Sequence, residues 1–243
     1  MRAMTLNEVS QVYDARASIA FDGSTNRVET EQALELLKQI APALDNRILD
    51  VGCGAGWLLA AAHDAGYRQI VGVDISARSL RRAANLCKST NAVFILGAVV
   101  SVTPATFDAV TAFNACFGCF GPLGDQAFVE GIFRALTPGG QMAMSYVGPD
   151  AARRRVGDYR VLYGSEAEIV TSAVRLDADE QWLVVEQMIG KKQIGEERIA
   201  VLTADRVESI LQHEGFDGVK HSDPLRRDGF LPFVDVVTAA KPL

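Results

Sequence analysis

The segment ILDVGCGAGWLLAAAHDAGYRQIVGVDIS, Ile48 to Ser76, limits the folds open to this chain more than any other stretch. An apolar run leads into Gly52, Gly54 and Gly56 at every second position, and an alanine-rich run follows from Trp57. A strand turning sharply into a helix fits that pattern. Glycine takes the positive φ values of a tight turn and lets a ligand approach the backbone. The first turn of the helix then offers N–H groups without intrahelical partners and the positive end of a dipole. A second apolar run ends on Asp74, about twenty residues after the loop, where a carboxylate can accept both hydroxyls of a ribose. The pattern asks for an adenosine-like ligand with an intact ribose diol. Its G-x-G-x-G spacing differs from the G-x-G-x-x-G of dinucleotide turns, and the bulky Trp57 argues against a pyrophosphate path. The plainer readings are an ordinary strand-to-helix turn for the glycines and a helix N-cap or solvated loop residue for Asp74.

Around this segment strands and helices alternate. Strands are expected at 48–52, 70–75, 92–97, 107–114 and 141–147, with helices at 57–66, 77–88 and 126–136. The last of these helices stops at Thr137-Pro138-Gly139-Gly140. Apolar, β-branched runs suit parallel strands buried on both faces, and right-handed crossovers then give an α/β, Rossmann-like doubly wound sheet. Upstream, a short helix is expected within residues 1–20 and an amphipathic one over Glu31–Ile40. After Val147 the rhythm changes: 165–176, 181–190 and 196–202 read as strands without helices between them. DADEQ (177–181) and KKQIGEE (191–197) read as hairpin turns of an antiparallel β insertion. Thr203 caps a helix that ends at Gly215, and strands at 218–222 and 233–240 finish the pattern.

Composition narrows the partners. A net charge of −6 over 243 residues gains little from phosphate backbones, so no nucleic-acid partner is expected. No apolar run spans a membrane, and the N-terminus lacks a signal-peptide core, so no membrane association is expected. Four scattered cysteines suggest reduced thiols and a cytoplasmic protein.

Taken in order, Asp50–Gly56, VGVDIS, FDAVTAFN and ALTPGGQMAMSYV resemble the successive motifs of class I S-adenosylmethionine-dependent methyltransferases, over about residues 48 to 147. The C-terminal helix and two strands are similar to the end of that fold, which implies an antiparallel last strand. The antiparallel insertion resembles those of small-molecule enzymes, including N-methyltransferases of amino sugars and amino acids. The resemblance implies S-adenosylmethionine as cofactor. It places Gly52, Gly54 and Gly56 along the methionine and ribose, Asp50 near the methionine ammonium, Asp74 on the ribose and Ile75 against the adenine. Asn114 faces the ammonium. Where the family often has an acidic residue for the adenine amino group, this chain has Ala98 after Gly97, leaving that contact to backbone groups or another side chain. The implied organisation is a helical lid (1–45), a cofactor-binding core (46–147), an insertion serving as substrate cover or dimer contact (148–202) and a completing helix and strands (203–243).

Methyl transfer needs positioning first and a base only where the acceptor must lose a proton. Of the three histidines, His63 and His213 read as helix residues, and His221, at the carboxyl edge of the sheet, is the candidate base or substrate contact. Tyr13 is a second catalytic candidate, in a lid over the cofactor, with packing of the first helix as the alternative. Phe117 and Tyr146 are candidates for the acceptor wall, with core packing as the alternative. Arg153, opening a run of three arginines, is a candidate for gripping an anionic acceptor, against a solvated face. Arg226-Arg227 reads the same way. Cys116-x-x-Cys119 reads as packing rather than a redox or metal pair, and no metal is expected. The expected function is methylation of a small soluble metabolite, with nitrogen or carbon favoured over oxygen as acceptor. A homodimer through the insertion is the expected assembly. The rivals are a non-catalytic methyltransferase-like binding module and an NAD-dependent oxidoreductase.

Overall fold

The computed structural model describes residues 4–17, 26–114, 117–157, 159–163, 169–189, 192–222 and 235–243. In chain order the elements begin with α1 (Leu6–Ala17), α2 (Asn26–Ile40), β1 (Arg47–Val51), α3 (Trp57–Asp64), β2 (Gln69–Asp74), α4 (Ala77–Leu86) and β3 (Val93–Leu96). Then come β4 (Phe107–Ala112), α5 (Gly121–Ala135), β5 (Leu136–Tyr146), α6 (Pro149–Arg155), β6 (Tyr159–Tyr163), β7 (Ile169–Leu176), β8 (Trp182–Ile189) and β9 (Lys192–Ala200). The last three are α7 (Ala204–Glu214), β10 (Asp217–Ser222) and β11 (Asp235–Ala240).

Seven strands form one sheet in the order β3-β2-β1-β4-β5-β11-β10. The first five run parallel, and β11 runs antiparallel between β5 and β10. The central strands are apolar at nearly every position because helices cover both faces. On one face Leu49, Val110, Met142 and Met144 pack with Val129 and Ile132 of α5 and Val207 and Leu211 of α7. On the other, Ile48, Ile70, Ala109 and Ala143 meet Leu37 and Ile40 of α2 and Leu59 and Ala62 of α3. The parallel direction brings Val51, Asp74, Leu96, Ala112 and Tyr146 to one edge. Pairing of Asp235 with Tyr146 puts the start of β11 there too. The expected doubly wound sheet with an antiparallel last strand is what the chain forms.

The second sheet, β6-β7-β8-β9, is wholly antiparallel. A small core of Val147, Ala152, Val174, Leu183 and Val185 lies beneath it. Several details depart from the sequence reading. Helix α6 was not expected: Pro149 in its first turn fixes a helical φ, and Ala151 and Ala152 bury its inner side. Helix α5 begins at Gly121 rather than Gln126, again with a proline in its first turn. Strand β9 occupies residues read as a turn, because Glu196 and Glu197 pair in register with Glu186 and Val185 of β8. Strand β5 also starts early, at Leu136, with an irregularity before Gln141. The Asp177 turn forms as expected, its carboxylate accepting from the N–H groups of Gln181 (2.8 Å) and Trp182 (3.0 Å). Thr203 caps α7, and Gly215 ends it at φ 102°.

The two sheets meet at Gly118, in the loop between β4 and α5. The Ala200 N–H donates to its carbonyl at 2.9 Å. Gly118 has φ +95°, and a Cβ there would lie 3.2 Å from both N and O of Ala200. Gly118→Ala is expected to lower the unfolding free energy by about 1–3 kcal/mol, measured by urea denaturation.

Candidate functional site

The turn between β1 and α3 is built as the glycine spacing requires. Gly52, Gly54 and Gly56 have φ of 69°, 52° and 80°. The N–H groups of Gly52 and Cys53 donate to the Val73 carbonyl at 2.8 and 3.2 Å, which ties the turn to β2. The glycines differ in their surroundings. A Cβ on Gly54 would meet nothing nearer than the Gly52 carbonyl oxygen at 4.0 Å, so the backbone there faces open space. A Cβ on Gly56 would lie 3.1 Å from both the Ala83 Cβ and the Cys87 Sγ, so this glycine lets α3 and α4 pack closely.

Two buried carboxylates stand beside the turn. Asp74 is 8% exposed: its Oδ2 accepts from the Gly54 N–H at 2.9 Å and its Oδ1 from the Ser76 N–H at 2.7 Å. Asp50 is 5% exposed and accepts from the Thr111 hydroxyl at 2.7 Å. Burial pushes the Asp50 carboxyl up to about 7; the Thr111 hydrogen bond opposes this, and the nearby Asp74 adds to it. Burial also raises Asp74, against the pull of the Ser76 and Gly54 N–H groups, and Asp14 raises it further. Such a pair is poised to receive hydroxyl donors at one carboxylate and a cation at the other.

Ile75, Gly97 and Ala98 adjoin Asp74: the Gly97 N–H donates to the Asp74 carbonyl at 3.0 Å, and Ala98 leads into a 3-10 turn, Val99–Ser101. Asn114, just beyond β4, has φ 53°, and its N–H donates to the Ser145 hydroxyl at 2.7 Å. The structure therefore gathers the expected cofactor residues along adjacent strand ends.

The other candidates have varied surroundings. Phe117 is 3% exposed and packs on Phe128, with ring centroids 6.0 Å apart. Tyr146 and His221, read separately in the sequence, form one pair, with the phenol oxygen 3.1 Å from Nδ1 and the rings edge to face. Burial raises the phenol above its ordinary range, and Asp235 adds to the effect. The His221 Nε2 faces Glu208 of α7 at 4.0 Å. Arg153 lies on α6, paired with Glu180 at 2.9 Å and Asp150 at 3.4 Å. Tyr13 lies within α1, but its side chain, like Cys116 and Arg226-Arg227, falls outside the described residues. Cys53, Cys87 and Cys119 are buried and form no disulfide. Among the described residues no group of three or more His, Cys, Asp or Glu could hold a metal, and no helix is long and apolar enough to cross a membrane.

Sequence reasoning missed Ser76, Thr111, Ser10, Asp14 and Asp125. Asp125, 3% exposed, accepts from the Gly118 N–H at 3.0 Å, and burial pushes it up to about 6. A serine before a helical run could have exposed Ser76 as the cap of α4; nothing local marks the others.

Residues 48–140 match a family model described as a methyltransferase domain. No curated protein sequence matches the chain. Among solved structures, the CcbJ methyltransferase from Streptomyces caelestis superposes with a TM-score of 0.76 at 16% identity, covering 99% of this chain and 100% of that one. CalS10, an amino pentose methyltransferase from Micromonospora echinaspora solved with S-adenosylmethionine, gives 0.67 at 17% identity, covering 99% and 98%. The 1,6-didemethyltoxoflavin-N1-methyltransferase of Burkholderia thailandensis, solved with S-adenosylhomocysteine, gives 0.59 at 17%, covering 98% and 86%. At these identities the likeness shows a shared fold.

The buried carboxyl at Asp50 has a consequence for stability. Its folded value of about 7 lies above its ordinary value of 3.8, so between these the folded state holds a proton that the unfolded state has lost. Stability from this group is therefore present at acid pH and lost as pH rises through that window, by up to about 1.4 kcal/mol per pH unit. Asp50→Asn is expected to flatten this slope and to be the more stable protein above pH 7, measured by urea denaturation across pH 5 to 8.

Proposed function

We propose that the protein, whose residues 48–140 match a methyltransferase-domain model, transfers a methyl group from S-adenosylmethionine to nitrogen or carbon of a small soluble metabolite. The observation that carries this reading is the Asp50 and Asp74 pair beside the open backbone of Gly54. Both carboxylates suit the donor: one can take the ribose hydroxyls, the other the amino-acid ammonium.

In this reading Asp74 accepts from the ribose diol while Gly54 and Ser76 hold its oxygens in place. Asp50 neutralises the ammonium and is held by Thr111. Ile75 packs on the adenine, and the backbone at Gly97 and Ala98 meets its edge in place of an acidic side chain. Asn114 faces the methionine end. When bound, S-adenosylmethionine supplies a methyl carbon already activated by its sulfonium, so transfer is an in-line displacement. The chain must align the acceptor at roughly 3–3.5 Å and exclude water.

The acceptor preference follows from proton demand. A neutral amine attacks without prior deprotonation, whereas most hydroxyls need a base. His221, the one candidate base from the sequence, is occupied at Nδ1 by Tyr146 and faces α7 at Nε2. That placement supports a nitrogen or carbon acceptor. The N1-methyltransferase activity of one structural neighbour supports the same direction. Residues 1–45 and 148–202 are the segments assigned to cover the acceptor. Buried cysteines that form no disulfide fit a reducing, cytoplasmic setting. A homodimer through the insertion is the assembly assigned; a monomer by light scattering at micromolar concentration would remove it.

Calorimetry tests the reading. S-adenosylhomocysteine is expected to bind and NAD is not, and Asp74→Ala is expected to weaken S-adenosylhomocysteine by at least about tenfold. Because an ionised Asp50 receives the ammonium, affinity should rise with pH by up to about tenfold per unit below its value of about 7, then level off. Binding without turnover on any amine panel would favour the non-catalytic module; binding of NAD alone would favour the oxidoreductase.

A further inference from the structure

Helix α1 is fastened at both ends to the carboxyl edge of the main sheet. At its start the Met4 N–H donates to the Cys119 carbonyl, beyond β4, at 3.0 Å. Further along, the Ser10 hydroxyl donates to the Ile75 carbonyl, beyond β2, at 3.2 Å. In the sheet β4 and β2 flank β1. Two strand spacings are about 10 Å, and Met4 to Asp14 as helix spans about 15 Å. Helix α1 therefore crosses above the glycine turn, with Val9 and Val12 buried along it.

A third fastening runs through the Asp14 carboxylate. Asp14 Oδ1 accepts from the Ser76 hydroxyl at 2.5 Å and from the Arg78 N–H at 3.3 Å. Ser76 is fully buried and joins two carboxylates: its hydroxyl serves Asp14, and its N–H serves Asp74 at 2.7 Å. The same hydroxyl oxygen accepts from the Ser79 N–H at 3.0 Å and so caps α4. Without Asp14 the serine hydroxyl loses its acceptor, and the orientation that holds its N–H on Asp74 relaxes.

We propose that Asp14 is a positioning residue for the cofactor, holding α1 over the glycine turn and, through Ser76, aiming the Asp74 carboxylate at the ribose. This rests on the methyltransferase reading for the identity of the ligand. Seating of α1 and loading of the cofactor are then coupled, each strengthening the other by the same factor.

The test uses S-adenosylhomocysteine as probe, with calorimetry and amide hydrogen exchange on the full chain. Asp14→Ala is expected to weaken binding about tenfold and to speed exchange in α1. Asp14→Asn keeps an oxygen for Ser76 and Arg78, and is expected to stay within about twofold of the parent. Ser10→Ala, which cuts the neighbouring bond, should shift both readouts in the same direction as Asp14→Ala. In the parent the ligand slows exchange in α1; in Asp14→Ala it no longer does. A parent that binds while Asp14→Ala matches it, or while Asp14→Asn fails as badly as Asp14→Ala, overturns the proposal alone. A parent that ignores S-adenosylhomocysteine overturns the methyltransferase reading, and this proposal with it.

Discussion

Two carboxylates withdrawn from water at neighbouring strand ends set the terms for the rest of this molecule. Burying a charge is costly unless hydrogen bonds or an opposite charge compensate it. Here the compensation comes from the backbone N–H groups of Gly54 and Ser76 and from the Thr111 hydroxyl, which satisfy the carboxylates only in part. The folded chain thus carries an electrostatic cost at the point where a cationic ligand with free hydroxyls would relieve it.

The surrounding architecture serves that pair. The parallel sheet brings successive strand ends to one edge, so residues far apart in sequence become neighbours. The loop after β4 then acts as a junction. Gly118 meets the second sheet through Ala200, Cys119 meets the start of α1, and Asp125 holds the loop from beneath. Anything that reshapes this loop is felt by α1 and by the second sheet at once.

The main sheet was legible because buried parallel strands are written as dense apolar runs, and the glycine turn because few other backbones need that spacing. The insertion was less so. Strand β9 carries Glu196, Glu197 and Arg198, and only pairing with β8 makes such a segment extended. Helix α6 is too short to show a periodicity, and the glycines around Pro122 hid the first turn of α5. The partners of the site were beyond reach for a different reason. Thr111 lies 61 residues from Asp50, and Ser76 lies 62 from Asp14. Such pairs are products of topology, and no local pattern announces them.

The placement of β11 bears on how the chain is made. It lies between β5 and β10, and its neighbours are both synthesised before it. Until it leaves the ribosome, β5 has an open edge and β10 has nothing to pair with. Lys241 then closes the seam, donating to the carbonyls of Phe133 and Leu136 at 3.0 and 2.8 Å. A nascent chain stalled before this strand exposes a raw apolar border, which would make it a natural client for chaperones.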